Sequence, residues 1–167
     1  MGNRELEVFI LKKIKEIKPN FQVKPAVDLK YGKKDLKLPR VISKTLSNEV
    51  IERYRGDILD EEKAIFKQYE VHRHCINLVF VLSENESYSD VAEIKKIFEH
   101  LVGADWLITM SGENIVIEEI TALVDISEDL KDSYTERYSF DMYIKTVDEN
   151  IAEIEHIKAV EFDFKVR

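Results

Sequence analysis

The stretch that most constrains the fold is YTERYSFDMYIKTV, residues 134–147, where apolar and polar side chains alternate without interruption. Tyr138, Phe140, Met142 and Ile144 share one face of an extended strand, and Ser139, Asp141, Tyr143 and Lys145 share the other. A strand with one apolar face must bury that face against a layer of other elements. The chain offers further strands at residues 69–82, 114–124 and 160–166, together with two amphipathic helices.

The first helix is expected from Asn3 to Lys18, where Leu6, Phe9, Ile10, Ile14 and Ile17 recur at spacings of three and four and Pro19 blocks continuation. A second is marked by Val91, Ile94, Ile97, Phe98 and Leu101. Ser89 or Asp90 is expected to start it, with Glu93 completing a capping box from Asp90, and Gly103 to stop it. Residues 21–28 read as a short extended segment around Pro25, and residues 38–46 as a weak strand whose Pro39 favours a sheet edge or a strand start. Residues 76–82 are apolar on both faces, as in a central strand. The strand at 114–124 is expected to bend near Glu118 and Glu119, and residues 148–157 to hold a short helical turn.

Residues 47–67 show no clean period, because Val50, Ile51, Tyr54, Ile58, Leu59, Ile65 and Phe66 are diluted by charge. They read as a long excursion carrying some helix, or as an extended arm. Arg55-Gly56-Asp57 within them reads as a polar turn. The expected architecture is one α+β domain over residues 1–167. It comprises a mixed, mainly antiparallel sheet packed by two amphipathic helices, with residues 47–67 as a possible arm or insertion.

Charge narrows the function classes. A net charge of −8 argues against a general nucleic-acid coat, which needs a basic surface. The one cysteine, Cys75, leaves no intramolecular disulfide, and with no charged-then-apolar leader ahead of the first helix the expectation is a reducing, cytoplasmic setting. No run approaches the roughly 20 apolar residues that span a bilayer, so no membrane role is expected.

Candidate chemistry is sparse. His72, His74 and Cys75 are the one cluster of soft metal ligands. On a strand the two histidines share a face about 6.5 Å apart while the cysteine points away, so the three do not converge on an ion. Glu118 and Glu119, as strand neighbours, face opposite ways and cannot act together as acid and base. No nucleotide loop, nucleophile elbow or metalloprotease motif is present. No catalytic residue, cofactor or metal is assigned. Lys30, Lys33, Lys34 and Lys37 form a basic turn on an otherwise acidic chain, either a solvated loop or a candidate partner contact.

The order of elements, the aromatic-x-x-Arg-x-x-x-Asp arrangement of Tyr134, Arg137 or its neighbour Tyr138, and Asp141, and the spacing of Ile154, Ile157 and Val160 before the end resemble the phage tail terminator family, also called neck terminator or tail completion proteins. The resemblance runs from about Leu38 onward and skips residues 47–67. It implies a subunit of a closed ring, usually six-fold, that caps the tail tube at its head-proximal end and joins it to the neck. Its partners would be further copies of itself, tail tube protein and neck or connector protein, with tail sheath as a further candidate and DNA passing through unread, in a virion assembled in the host cytoplasm. It carries no catalytic residue over. The acidic balance suits a channel that passes DNA without holding it. The rival readings are another virion subunit, in a head–tail connector or baseplate, and a small ligand-binding domain or enzyme with an unrecognised site.

Overall fold

The first helix forms where its apolar spacing places it. In α1 (Asn3–Ile17) the side chains of Leu6, Ile10 and Ile14 are at most 1% exposed, and Phe9 and Leu11 flank them on the same stripe. The Gly2 N–H is capped by the Glu5 carboxylate at 3.0 Å, which satisfies a donor that the first turn leaves open. The computed structural model describes residues 2–29, 37–59, 64–102, 106–107, 114–130 and 133–154.

After α1 come β1 (Gln22–Pro25), a single helical turn α2 (Ala26–Leu29), and two long strands, β2 (Arg40–Leu59) and β3 (Ala64–Val81). Next are α3 (Tyr88–Glu99), β4 (Trp106–Leu107), β5 (Asn114–Ile120), β6 (Val124–Asp125), β7 (Glu128–Leu130), β8 (Ser133–Thr135) and β9 (Arg137–Ile154). The main sheet has the order β1-β2-β3-β9-β5-β4, with β6 adding to β9 beyond the end of β5. β1 pairs with β2 in parallel, and the other ladders are antiparallel. β7 and β8 form a separate hairpin. The protein is thus a single-domain α+β fold with a mixed, mainly antiparallel sheet.

Register explains where the core lies. Ile76, Leu78 and Phe80 of β3 stand opposite Met142, Phe140 and Tyr138 of β9, and all six are at most 7% exposed. Val41 of β2 and Ile115 and Ile117 of β5 extend the same face sideways. α1 and α3 cover it with Leu6, Ile10, Ile14, Val91, Ile94 and Phe98. Burying each such side chain contributes about 1.5–3 kcal/mol before chain entropy is subtracted, so this face is what holds the fold together. Lys18, just past α1, bridges to Asp90 (3.0 Å) and Glu93 (2.5 Å) of α3, tying the two helices together across their outer surface.

Several expectations are corrected. Residues 47–67 carry no helix among those described: β2 runs on to Leu59 and β3 begins at Ala64, so the excursion is an extension of two sheet strands. The expected helical turn after residue 147 is instead the continuation of β9 to Ile154, paired along β3. Arg55-Gly56-Asp57 lies inside β2, opposite Gln68, Lys67 and Phe66, rather than in a turn. α3 starts earlier than expected, with Ser87 as its N-cap and the Asp90 carboxylate accepting the Ser87 N–H at 2.9 Å, while Glu93 serves the bridge to Lys18. Ile97 is half-buried, leaving Val91, Ile94 and Phe98 as the core face of α3. The bend expected near Glu118 is present as a register shift between Ile117 and Glu119. The strand expected at 160–166, and Ile157 and Val160 of the terminal pattern, lie outside the described residues.

Candidate interaction surface

Beyond the helices the sheet narrows. From a body in which β1, β6, β5 and β4 flank β2, β3 and β9 at successive levels, it is reduced among the described residues to β2, β3 and β9, which continue side by side to the level of Leu59, Ala64 and Ile154. The alternation of this three-stranded arm is interrupted in β2. Two irregularities in β2, between Thr45 and Ser47 and between Val50 and Glu52, each insert a residue and switch the face of all that follows. Positions on the helix-covered side therefore run Val41, Ser43 and Thr45, then Asn48 and Val50, then Arg53 and Arg55, which no single period reveals.

The arm is held by cross-strand pairs. Tyr54 and Tyr69 stand directly opposite and stack at 4.9 Å between ring centres. Arg53 pairs with Glu70 at 2.9 Å and Lys67 with Glu149 at 2.5 Å. Such pairs contribute roughly 0.2–1 kcal/mol each, enough to maintain a ladder that already has its backbone bonds. Leu46, Val50, Ile51 and Tyr54 are 54, 39, 37 and 49% exposed, which gathers four of the exposed large apolar side chains on one strand.

A polar cluster around the buried His74 and Thr146 joins the arm to the body. The His74 ring is fully buried, with Nδ1 3.1 Å from Asn3 Oδ1 and Nε2 2.9 Å from Thr146 Oγ1. Asn3 Oδ1 also accepts the Asn48 side-chain N–H at 2.9 Å, and Asn48 Oδ1 lies 3.1 Å from His72 Nδ1. Since Asn3 Oδ1 only accepts, Nδ1 of His74 carries the proton and Nε2 accepts the Thr146 hydroxyl. Burial, followed by the neighbouring His72 and the N-terminal amine, pushes the His74 imidazole down to about 4, so it is neutral at pH 7. Both ring nitrogens of His74 are thereby engaged within the protein.

The histidines stack on one face at 6.1 Å between ring centres, while Cys75 lies on the opposite face beside Tyr143, where burial pushes its thiol up. Among the described residues no group of three or more His, Cys, Asp or Glu side chains is placed to hold a metal ion. On that opposite face Glu118, the residue skipped by the register shift in β5, accepts from Arg73 at 2.9 Å and Lys145 at 2.7 Å. Burial works against its charge, yet the hydrogen bonds and charges of Lys145 and Arg73 outweigh it and hold the carboxyl below the usual carboxylate range. Arg73 also lies 4.7 Å from the centre of the Tyr143 ring.

Of the basic turn, Lys37 is exposed ahead of β2, and Lys30, Lys33 and Lys34 lie outside the described residues. Sequence reasoning missed Asn3, Glu7, Asn48 and His74 as a structural group. The available signal was Ser43 and Thr45, polar residues at inward positions of a strand, which require buried partners. Among the described residues no helix is long and apolar enough to cross a membrane.

No protein-family model matches the chain, and no curated protein matches it. A solved structure that aligns with 87% of this chain and 96% of its own shares 8% identity at a TM-score of 0.44, a likeness too distant to carry an argument.

Proposed function

We propose that this chain is a structural subunit of a homo-oligomeric, six-fold ring that terminates a phage tail tube at its head-proximal end and joins it to the neck. The observation that carries the reading is the arm formed by β2, β3 and β9, a sheet extension that contributes none of the described residues of the core cluster, continuing from a body that is already packed. An element of this kind gains its stability from neighbours and suits a subunit that is completed by assembly. The motif resemblance around Tyr134, Arg137 and Asp141 supplies the particular assembly, and the net charge of −8 suits a channel through which DNA must slide.

In this role the protein works by shape and contact, without catalysis or cofactor. Its partners are further copies of itself, tail tube protein, neck or connector protein and, in a contractile tail, sheath. The place of action is the virion, after assembly in the host cytoplasm. Light scattering and negative-stain microscopy of the purified protein, alone and with tail tubes, test the reading. Rings alone, or rings capping tube ends, support it; a chain that stays monomeric at high concentration and ignores tubes overturns it.

A further inference from the structure

The root of the arm has a histidine at its centre. His72 of β3 stands between Val50 of β2 and Thr146 of β9, and Thr146 pairs in turn with Ile115, the outermost described pair of β5 with β9. The next rung toward the arm on the helix-covered side is Arg53, Glu70 and Asp148.

The His72 ring touches all three strands. Its Nδ1 lies 3.1 Å from Asn48 Oδ1, and its Nε2 lies 3.5 Å from Glu70 Oε2 and 3.6 Å from Asp148 Oδ2. The Asn48 amide donates its N–H to Asn3 Oδ1, so the oxygen it turns to His72 only accepts. A neutral ring answers that oxygen with its one N–H, at Nδ1, and leaves the Nε2 lone pair facing two carboxylates. An imidazolium has an N–H on both sides and suits all three oxygens. His74 is the opposite case: Asn3 Oδ1 requires a donor and Thr146 Oγ1 can supply one, so a neutral ring satisfies both.

We propose that His72 carries the proton of this stacked histidine pair, and that the proton latches β3 to β9 and β2 at the root of the arm. The surrounding charges agree. Facing the ring are Glu70 on its own strand, Asp148 on β9 and, on β2, Arg53, which holds the other Glu70 oxygen at 2.9 Å. From the side of α1 come Asn3 and the N-terminal amine, and His74 is the inward neighbour at 6.1 Å between ring centres. A charged His72 and that amine both oppose a proton on His74, so the pair takes up one proton before two. The His72 and Glu70 side chains are 17 and 21% exposed, so water screens their contact only in part.

Two opposing limits follow. As pH rises, His72 gives up its proton, its Nε2 meets the two carboxylates bare, and the tie between β3 and β9 loosens. As pH falls, a second proton charges the buried His74 beside His72 and opens the cluster from the other side. The arm is held most firmly between these limits. The latch acts within one chain and holds whether or not copies form a ring.

The test is a pH series on the full chain with nitrogen-labelled histidine, in which two-bond hydrogen–nitrogen spectra report the proton on each ring nitrogen. As pH falls, His72 should reach the doubly protonated pattern while His74 still shows the neutral Nδ1–H tautomer. In parallel, hydrogen exchange is followed at the amides of residues 147–154 of β9 and corrected for the intrinsic rate at each pH. Their protection should drop about threefold to tenfold as His72 gives up its proton. That step should vanish in His72→Gln. Glu70→Gln combined with Asp148→Asn should displace the His72 titration to lower pH and remove the step as well, with circular dichroism confirming that both variants are folded. A first proton on His74, or arm protection that stays constant while His72 titrates in the wild-type chain, would overturn the latch.

Discussion

The Glu7 carboxylate of α1 accepts the Thr45 N–H at 2.7 Å and the Thr45 O–H at 2.6 Å, and its other oxygen accepts the Ser43 hydroxyl at 3.0 Å. Glu7 is 6% exposed, so a helix carboxylate replaces the strand partner that β2 loses when β1 ends. Removing it strands buried donors. Glu7→Ala should therefore cost about 2–4 kcal/mol, and Glu7→Gln about 1 kcal/mol, because the amide retains an acceptor and the hydroxyls can rotate. Urea midpoints measure both, and a Glu7→Ala midpoint equal to wild type would contradict this account.

Acid should loosen the junction of arm and body. His74 has an ordinary value of 6.5 and is held at about 4 in the fold, chiefly by burial. The unfolded chain therefore takes up this proton first as pH falls. The contribution is fully present above about pH 6.5 and is lost progressively down to about pH 4, to a total of about 3 kcal/mol. Stability curves at several pH values for wild type and His74→Gln check this: the wild type should fall more steeply across that window, and equal slopes would show that His74 is not responsible.

Core substitutions should separate cleanly from surface ones. Phe140 is 1% exposed and stacks on Phe80 at 5.6 Å, and Ile94 is fully buried on α3. Phe140→Ala and Ile94→Ala should each destabilise by about 2–5 kcal/mol, and the exposed Lys12→Ala by no more than about 0.5 kcal/mol. Ile97→Ala should fall between them, since that side chain is half-buried. Overlapping urea midpoints for the core and surface variants would refute the packing described.

Docking should depend on the basic turn if it faces a partner. Lys33→Gln together with Lys34→Gln should weaken sedimentation with purified tail tubes at low salt and have little effect at high salt, because exposed charges are screened beyond about 8–10 Å at ordinary ionic strength. Ring formation should be unchanged. Docking that is unaltered at low salt would mark the turn as a solvated loop.

The elements legible in the sequence were those with one face in the core. Tyr138 to Ile144 alternate because β9 is buried on one side only, and Leu6, Ile10 and Ile14 repeat because α1 lies on that same face, so burial wrote its period into the residues. The arm was one of two readings of residues 47–67, and its strands could not be placed because two inserted residues in β2 interrupt the alternation at Leu46 and Ile51. The continuation of β9 past Val147 was read as a helical turn because its sequence has no unbroken alternation, whereas the backbone pairs along β3 to Ile154. Tertiary structure alone decided the partners of Glu7 and His74. Their hydrogen bonds reach Thr45 and Thr146, 38 and 72 residues away, and no local pattern can encode a contact that exists only once the helix lies on the sheet.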